Sequence, residues 1–125
     1  MPEQLKVGTV GWQDLTVPNA EQVRDFYKAV VGWDSSPVDM GGYSDFTMIA
    51  PGTDTPIAGV CHARGENAHV PPQWMLYFIV DDLDRAMRAC IDGGGAVLGS
   101  PRMLGDARYC TVRDPAGAVC ALYQP

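Results

Sequence analysis

The feature that most limits what this chain can fold into is a repeat. Shifted over itself by sixty-three residues, WQDLTVPN at 12–19 falls on MLYFIVDD at 75–82. Trp12 then meets Met75, Asp14 meets Tyr77, Leu15 meets Phe78 and Val17 meets Val80. Asn19 meets Asp82, and both stand where a helix N-cap belongs. Helical spacing follows in each copy, with Val23, Phe26, Tyr27 and Val30 against Ala86, Ala89 and Cys90. Glycines at 32 and 95 supply the expected helix ends. Further on, FTMIAPGTDTPIAGV at 46–60 lies over YCTVRDPAGAVCALY at 109–123, two β-runs around a turn in both cases. One more strand fits near 37–43 and another near 96–104.

The order is therefore β-α-β-β-β, twice, in an α+β fold. One module covers about 5–62 and the other about 74–125, joined by the polar, proline-bearing linker 63–73, all within one domain. A module of this kind cannot bury both faces of its own sheet. Two of them are expected to pair into one curved mixed sheet, helices outside and a concave face inside. Alternation along a strand sends Leu15, Val17, Phe78 and Val80 under the helices, and Trp12, Asp14, Met75 and Tyr77 into the hollow. The same parity adds Phe46, Met48, Val60 and His62 from the first module. From the second it adds Tyr109, Thr111, Val119 and Tyr123.

Composition narrows the function classes. The chain has 125 residues, 46% of them apolar, and a net charge of −6. Such an acidic balance argues against nucleic acid, whose phosphates require basic patches. The apolar runs are too short to span a bilayer, and MPEQLKVGTV lacks the pattern of a signal peptide. Cys61, Cys90, Cys110 and Cys120 are isolated among apolar residues with no C-x-x-C, which fits free thiols and a cytoplasmic protein.

The W-x-D-L-T-V-P-N opening, F-Y-x-x-x-x-G-W at 26–33 and R-D-P-A-G-A-V-x-x-L-Y-Q-P at the end complete a pattern. With the duplicated module and the Asp114-Pro115-Ala116-Gly117 turn, it resembles the vicinal oxygen chelate superfamily. That group contains glyoxalase I, extradiol dioxygenases, and fosfomycin- and bleomycin-resistance proteins, and the resemblance covers essentially the whole chain. In its metal-dependent members, each first strand gives a His or Gln and each last strand a Glu to one divalent ion. The matching places here are Trp12, Ala58 (or Gly59, one residue on), Met75 and Ala121. None offers a suitable donor, since the Met75 thioether is soft. No metal and no other cofactor is therefore expected. The resemblance also implies a homodimer.

What the hollow is expected to offer instead is an aromatic surface with Asp14, His62 and phenolic hydroxyls, suited to a planar, cationic organic ligand. The ligand-binding set is Trp12, Asp14, Phe46, Met48, His62, Met75, Tyr77, Tyr109, Thr111 and Tyr123. Trp74 has the opposite parity and is expected against a helix or a partner. Tyr43, beside two glycines, is placed as a lid. The leading reading is a metal-free small-molecule binder of the bleomycin-resistance type. The alternative is a glyoxalase-like lyase or isomerase, using Asp14 as its acid–base group or a metal held in an unconventional way.

Overall fold

The computed structural model describes residues 5–125. Its elements run β1 (Val10–Val17), α1 (Ala20–Val31), β2 (Asp34–Asp39), β3 (Ser44–Ile49), β4 (Pro56–His62), a single 3-10 turn (Gly65–Asn67), β5 (Trp74–Ile79), α2 (Leu83–Asp92), β6 (Ala96–Leu104), β7 (Ala107–Arg113) and β8 (Val119–Gln124). The fold is α+β, with β-α-β-β-β occurring twice as the repeat requires.

Two compact units emerge, and they are cut differently from the modules. Gln13–Trp74 form one; Met75–Pro125, together with residues 5–12, form the other. The start of the chain joins the later half because backbone bonds tie Gly8 N–H to the Ile79 carbonyl (2.8 Å) and Ile79 N–H to the Thr9 carbonyl (2.9 Å). The stretch 63–73 lies inside the earlier unit rather than between units.

In the unit 13–74 the strand order is β2-β3-β4-β1. β1 runs parallel to β4, and antiparallel ladders join β4 to β3 and β3 to β2. Leu15, Val17, Phe46, Met48, Ala58 and Val60 form the core with Ala20 of α1, and Val23, Tyr27, Trp33 and Trp74 pack against it. α1 ends on Gly32 in the left-handed region (φ 83°), a conformation that glycine adopts without penalty. Phe26 and Val30 share the helical spacing yet lie on the exposed side of α1.

In the other unit the order is β5-β8-β7-β6, again one parallel pair followed by antiparallel ladders. Its helix-side core holds Leu83, Cys110 and Val112, with Val80, Met87, Cys90, Val97, Cys120 and Leu122 packed around them. α2 stops at Asp92, with Gly93 rather than Gly95 as its C-cap. Asp82 caps its start, accepting from the Arg85 N–H at 3.0 Å. Asn19 does not do the same for α1; its amide donates to Gln22 Oε1 instead.

One consequence of the repeat needs correction. Paired residues on neighbouring strands share a face, and Leu15 pairs with Val60, which pairs with Phe46. Phe46, Met48, Val60 and His62 therefore belong to the helix-facing side, not to the open one. The cause is loop length. Phe46 and Val60, a ladder pair, are fourteen apart in sequence; the corresponding helix-facing pair, Cys110 and Leu122, are twelve apart. An ungapped overlay spreads those two extra residues as one on each strand, and a one-residue slip turns every side chain over.

Candidate functional site

The open face of the earlier unit is built around Asp14. In the ladder Asp14 lies opposite Gly59, Thr16 opposite Cys61, and Thr47 of β3 opposite Gly59 from the other side. The Asp14 carboxylate rests over Gly59, so that a Cβ added there would overlap Asp14 Oδ1. Glycine at 59 is thus what gives the carboxylate its seat. Thr16 is buried, while Asp14 and Cys61 are half-buried. Burial, and then the carboxylates of Asp14 and Asp45, push the Cys61 thiol up, so at neutral pH it is a protonated sulfhydryl and not a nucleophile. Gln13 faces the other way, and its side-chain amide donates to the Ile57 carbonyl. This arrangement can hold a positive charge or exchange a proton at Asp14.

Trp12, two positions along the same strand, shares the parity of Asp14 and is half-buried. Of the residues expected from the later half, Met75, Tyr77, Thr111 and Tyr123 do lie on the strand face opposite α2, and all four are buried. Tyr109 remains half-exposed, its ring 6.0 Å from that of Tyr77 and with the Arg102 guanidinium 5.5 Å from its centre. Accessible positions among the expected set thus reduce to Trp12, Asp14 and Tyr109, with His62 on the opposite face. Phe46 and Met48 are core residues under α1, 7% and 0% exposed, for the register reason given above.

Tyr43 is no lid. Its ring meets His62 edge-on at 5.4 Å and carries the Arg64 guanidinium 3.8 Å above it. Trp74 packs against α1, donating from Nε1 to the Tyr27 hydroxyl at 3.1 Å. Arg108 pairs with Asp84 at 3.1 Å on the surface.

The metal expected of the superfamily can be tested against these positions. On the strand faces away from the helices the first-strand places are Trp12 and Met75. The last-strand places are Gly59 and Ala121, because the register puts Ala58 in the core under α1. An indole, a thioether, a hydrogen and a methyl do not make a site for a hard or borderline cation. Among the described residues, no group of three or more His, Cys, Asp or Glu is arranged to hold a metal. The residues present do not fit the superfamily's ion.

A cluster that the sequence did not announce lies at the start of α1. His62 Nε2 is 2.9 Å from Glu21 Oε2, and its Nδ1 is 3.1 Å from Asp45 Oδ1. The same Asp45 oxygen accepts the His62 backbone N–H at 2.8 Å. The available signal was Asp45 itself, a charge in the otherwise apolar run DFTMI, which when buried must find partners.

Residues 13–123 match the glyoxalase-like domain family. The chain belongs to that family. It is similar to the putative glyoxylase CFP32 of Mycobacterium bovis, with 32% identity over 124 residues covering 97% of this chain and 47% of that protein. It is also similar to the anthracycline biosynthesis protein DnrV of Streptomyces peucetius, with 30% identity over 129 residues, 94% of this chain and 47% of that one. The chain spans about half the length of these curated relatives. Among solved structures it is similar to a glyoxalase/bleomycin resistance protein/dioxygenase superfamily member from Vibrio splendidus 12B01. That likeness has a TM-score of 0.61 and 13% identity, over 94% of this chain and all (100%) of that one, and it shows the fold. No helix among the described residues is long and apolar enough to cross a membrane.

Proposed function

We propose that this glyoxalase-like chain binds a small, planar organic cation without the help of a metal, and that Asp14 is the group that holds its charge. The observation carrying this reading is the seat of the Asp14 carboxylate over Gly59, half-buried on a strand face where relatives of the superfamily present metal donors. A carboxylate in such a place gains more from a cationic guest than one on the surface, because solvent screens it less. The relationship to a protein named for anthracycline biosynthesis makes polycyclic aromatic compounds the first ligands to try. We further propose that the protein works as a homodimer, for which its mass in solution by light scattering is the check.

Titration of purified protein with a panel of cationic aromatic compounds, an anthracycline among them, followed by tryptophan fluorescence, tests the binding role. Saturable quenching at micromolar ligand is the expected result. A flat response to millimolar concentrations across the panel contradicts it.

A second reading, catalysis in which Asp14 moves a proton, draws on the relative named as a putative glyoxylase. Elemental analysis separates the cases that involve an ion. One equivalent of Ni, Zn, Mn or Fe, with loss of stability on chelation, would replace the metal-free reading with that of a metal-dependent lyase.

A further inference from the structure

His62 is placed between two carboxylates, one on each ring nitrogen: Glu21 Oε2 at 2.9 Å from Nε2 and Asp45 Oδ1 at 3.1 Å from Nδ1. A neutral imidazole has a single N–H, so one of these contacts would set two acceptors against each other. Only the imidazolium satisfies both. The three residues come from three elements: Glu21 from the first turn of α1, Asp45 from β3 and His62 from the end of β4. They sit where α1 needs help most. Its N-cap residue, Asn19, makes no capping bond with its side chain, whereas Asp82 makes one for α2. We propose that Glu21, His62 and Asp45 form a protonation-dependent clamp, fastening the start of α1 to its sheet when His62 is charged and releasing it when His62 is neutral.

The surroundings support a charged ring. Around it lie Glu21 of α1, Asp45 of β3, and the rings of Tyr43 at 5.4 Å and Phe46 at 6.2 Å; Arg24 and Arg64 lie over those two rings, and Cys61, next along β4, turns to the opposite strand face. The two cations are engaged elsewhere. Arg24 pairs with Asp25 at 2.9 Å and lies 4.5 Å from the centre of the Phe46 ring, and Arg64 lies over Tyr43. Cys61 stays a neutral thiol, since burial and the two nearby aspartates push it up. Burial of the imidazole opposes its charging, but hydrogen bonds to Glu21 and Asp45 outweigh that, and the His62 pKa is raised. The hydrogen bond from His62, in turn, is the main reason that the Glu21 carboxyl is lowered.

The signs define a window. A raised histidine contributes stability that is complete below its unfolded value, about 6.5, and is lost as pH rises through its folded value. A lowered glutamate contributes above its unfolded value, about 4.3, and loses that contribution as pH falls through its folded value. The clamp is closed between the lowered Glu21 and the raised His62, and it opens on the alkaline side first at α1.

NMR titration of the imidazole carbons tests this directly, the His62 signal being assigned by its loss in His62→Gln. The expected result is a pKa above the ordinary value of about 6.5 that falls when exposed Glu21 is changed to Gln. The protection factor of the Val23 amide, which bonds the Asn19 carbonyl in the first turn of α1, should drop across the same pH range in the wild type. The Ala86 amide, its counterpart in α2 bonding Asp82, should keep its protection. A His62 pKa at or below the ordinary value, or one that Glu21→Gln leaves unmoved, overturns the clamp. So does equal behaviour of Val23 and Ala86. Glu21 lies outside the open face, so these outcomes are independent of whether Asp14 binds a ligand.

Discussion

The two halves of this chain follow one path but fasten their helices by different chemistry. α1 is held by rings and charges. Tyr27 stacks on Trp33 at 5.5 Å and meets the edge of Trp74 at 5.3 Å, while the Glu21–His62–Asp45 bridge anchors the first turn. α2 is held by aliphatic and thiol packing. Leu83 is fully buried beside Cys110 and Val112, its N–H donates to Gln124 Oε1 at 2.7 Å, and Asp82 caps the helix. Burial in that half pushes the Cys110 thiol up to about 11, so the sulfur packs as a small apolar group. What the contrast teaches is that the β-α-β-β-β path is set by alternation and turn positions, while the packing chemistry can be exchanged. The faces away from the helices differ in the same way. Met75 and Tyr77 are buried, while Asp14 keeps a half-exposed carboxylate over a glycine.

That contrast can be broken or sharpened by substitution, and the largest effect belongs to the core. Met48→Ala should cost about 2–5 kcal/mol of stability by urea unfolding and leave ligand affinity alone, because Met48 lies wholly under α1. A mutant of unchanged stability with weakened binding would return Met48 to the open face. Next comes Gly59→Ala, which forces the Asp14 carboxylate from its seat. About 1–3 kcal/mol of strain is expected, read as a lower urea midpoint together with weaker binding of a cationic aromatic ligand. Its partner test in the other half is Ala121→Gly, which removes a buried methyl and should lower stability without touching binding. Smallest is the pair of helix caps. Asp82→Ala should cost about 0.5–2 kcal/mol, and Asn19→Ala clearly less, since only Asp82 makes the capping bond. Equal losses in thermal melts would erase the difference drawn between the two helices.

Much of the fold was legible from side-chain spacing because strand alternation and turn residues act locally. The β-α-β-β-β order, the strand near 96–104, and the alternation that puts Trp12 with Asp14 and Met75 with Tyr77 all follow from that, whereas the strand expected near 37–43 lies earlier, at Asp34–Asp39, and 40–43 form the turn into β3. The faces of β3 and β4 in the earlier half did not follow, because face depends on ladder register across a hairpin. The longer turn there shifts Phe46, Met48 and His62 to the helix side. Asp14 could be singled out as a charge in an apolar strand, but its seat over Gly59 could not, since that needs the parallel pairing of β1 with β4. The clamp was out of reach for a similar reason. Glu21, Asp45 and His62 are scattered in sequence, and only the packing of α1 on β3 and β4 brings them together.

The central claim is that Asp14 reads positive charge in a bound molecule. A calorimetric cycle tests it most directly, with a cationic aromatic ligand and its uncharged isostere each titrated into wild type and Asp14→Asn. Loss of the carboxylate should weaken the cationic ligand by about 1–3 kcal/mol, tenfold or more, and leave the neutral one within about 0.5 kcal/mol. Equal weakening of both ligands, or of neither, would contradict it.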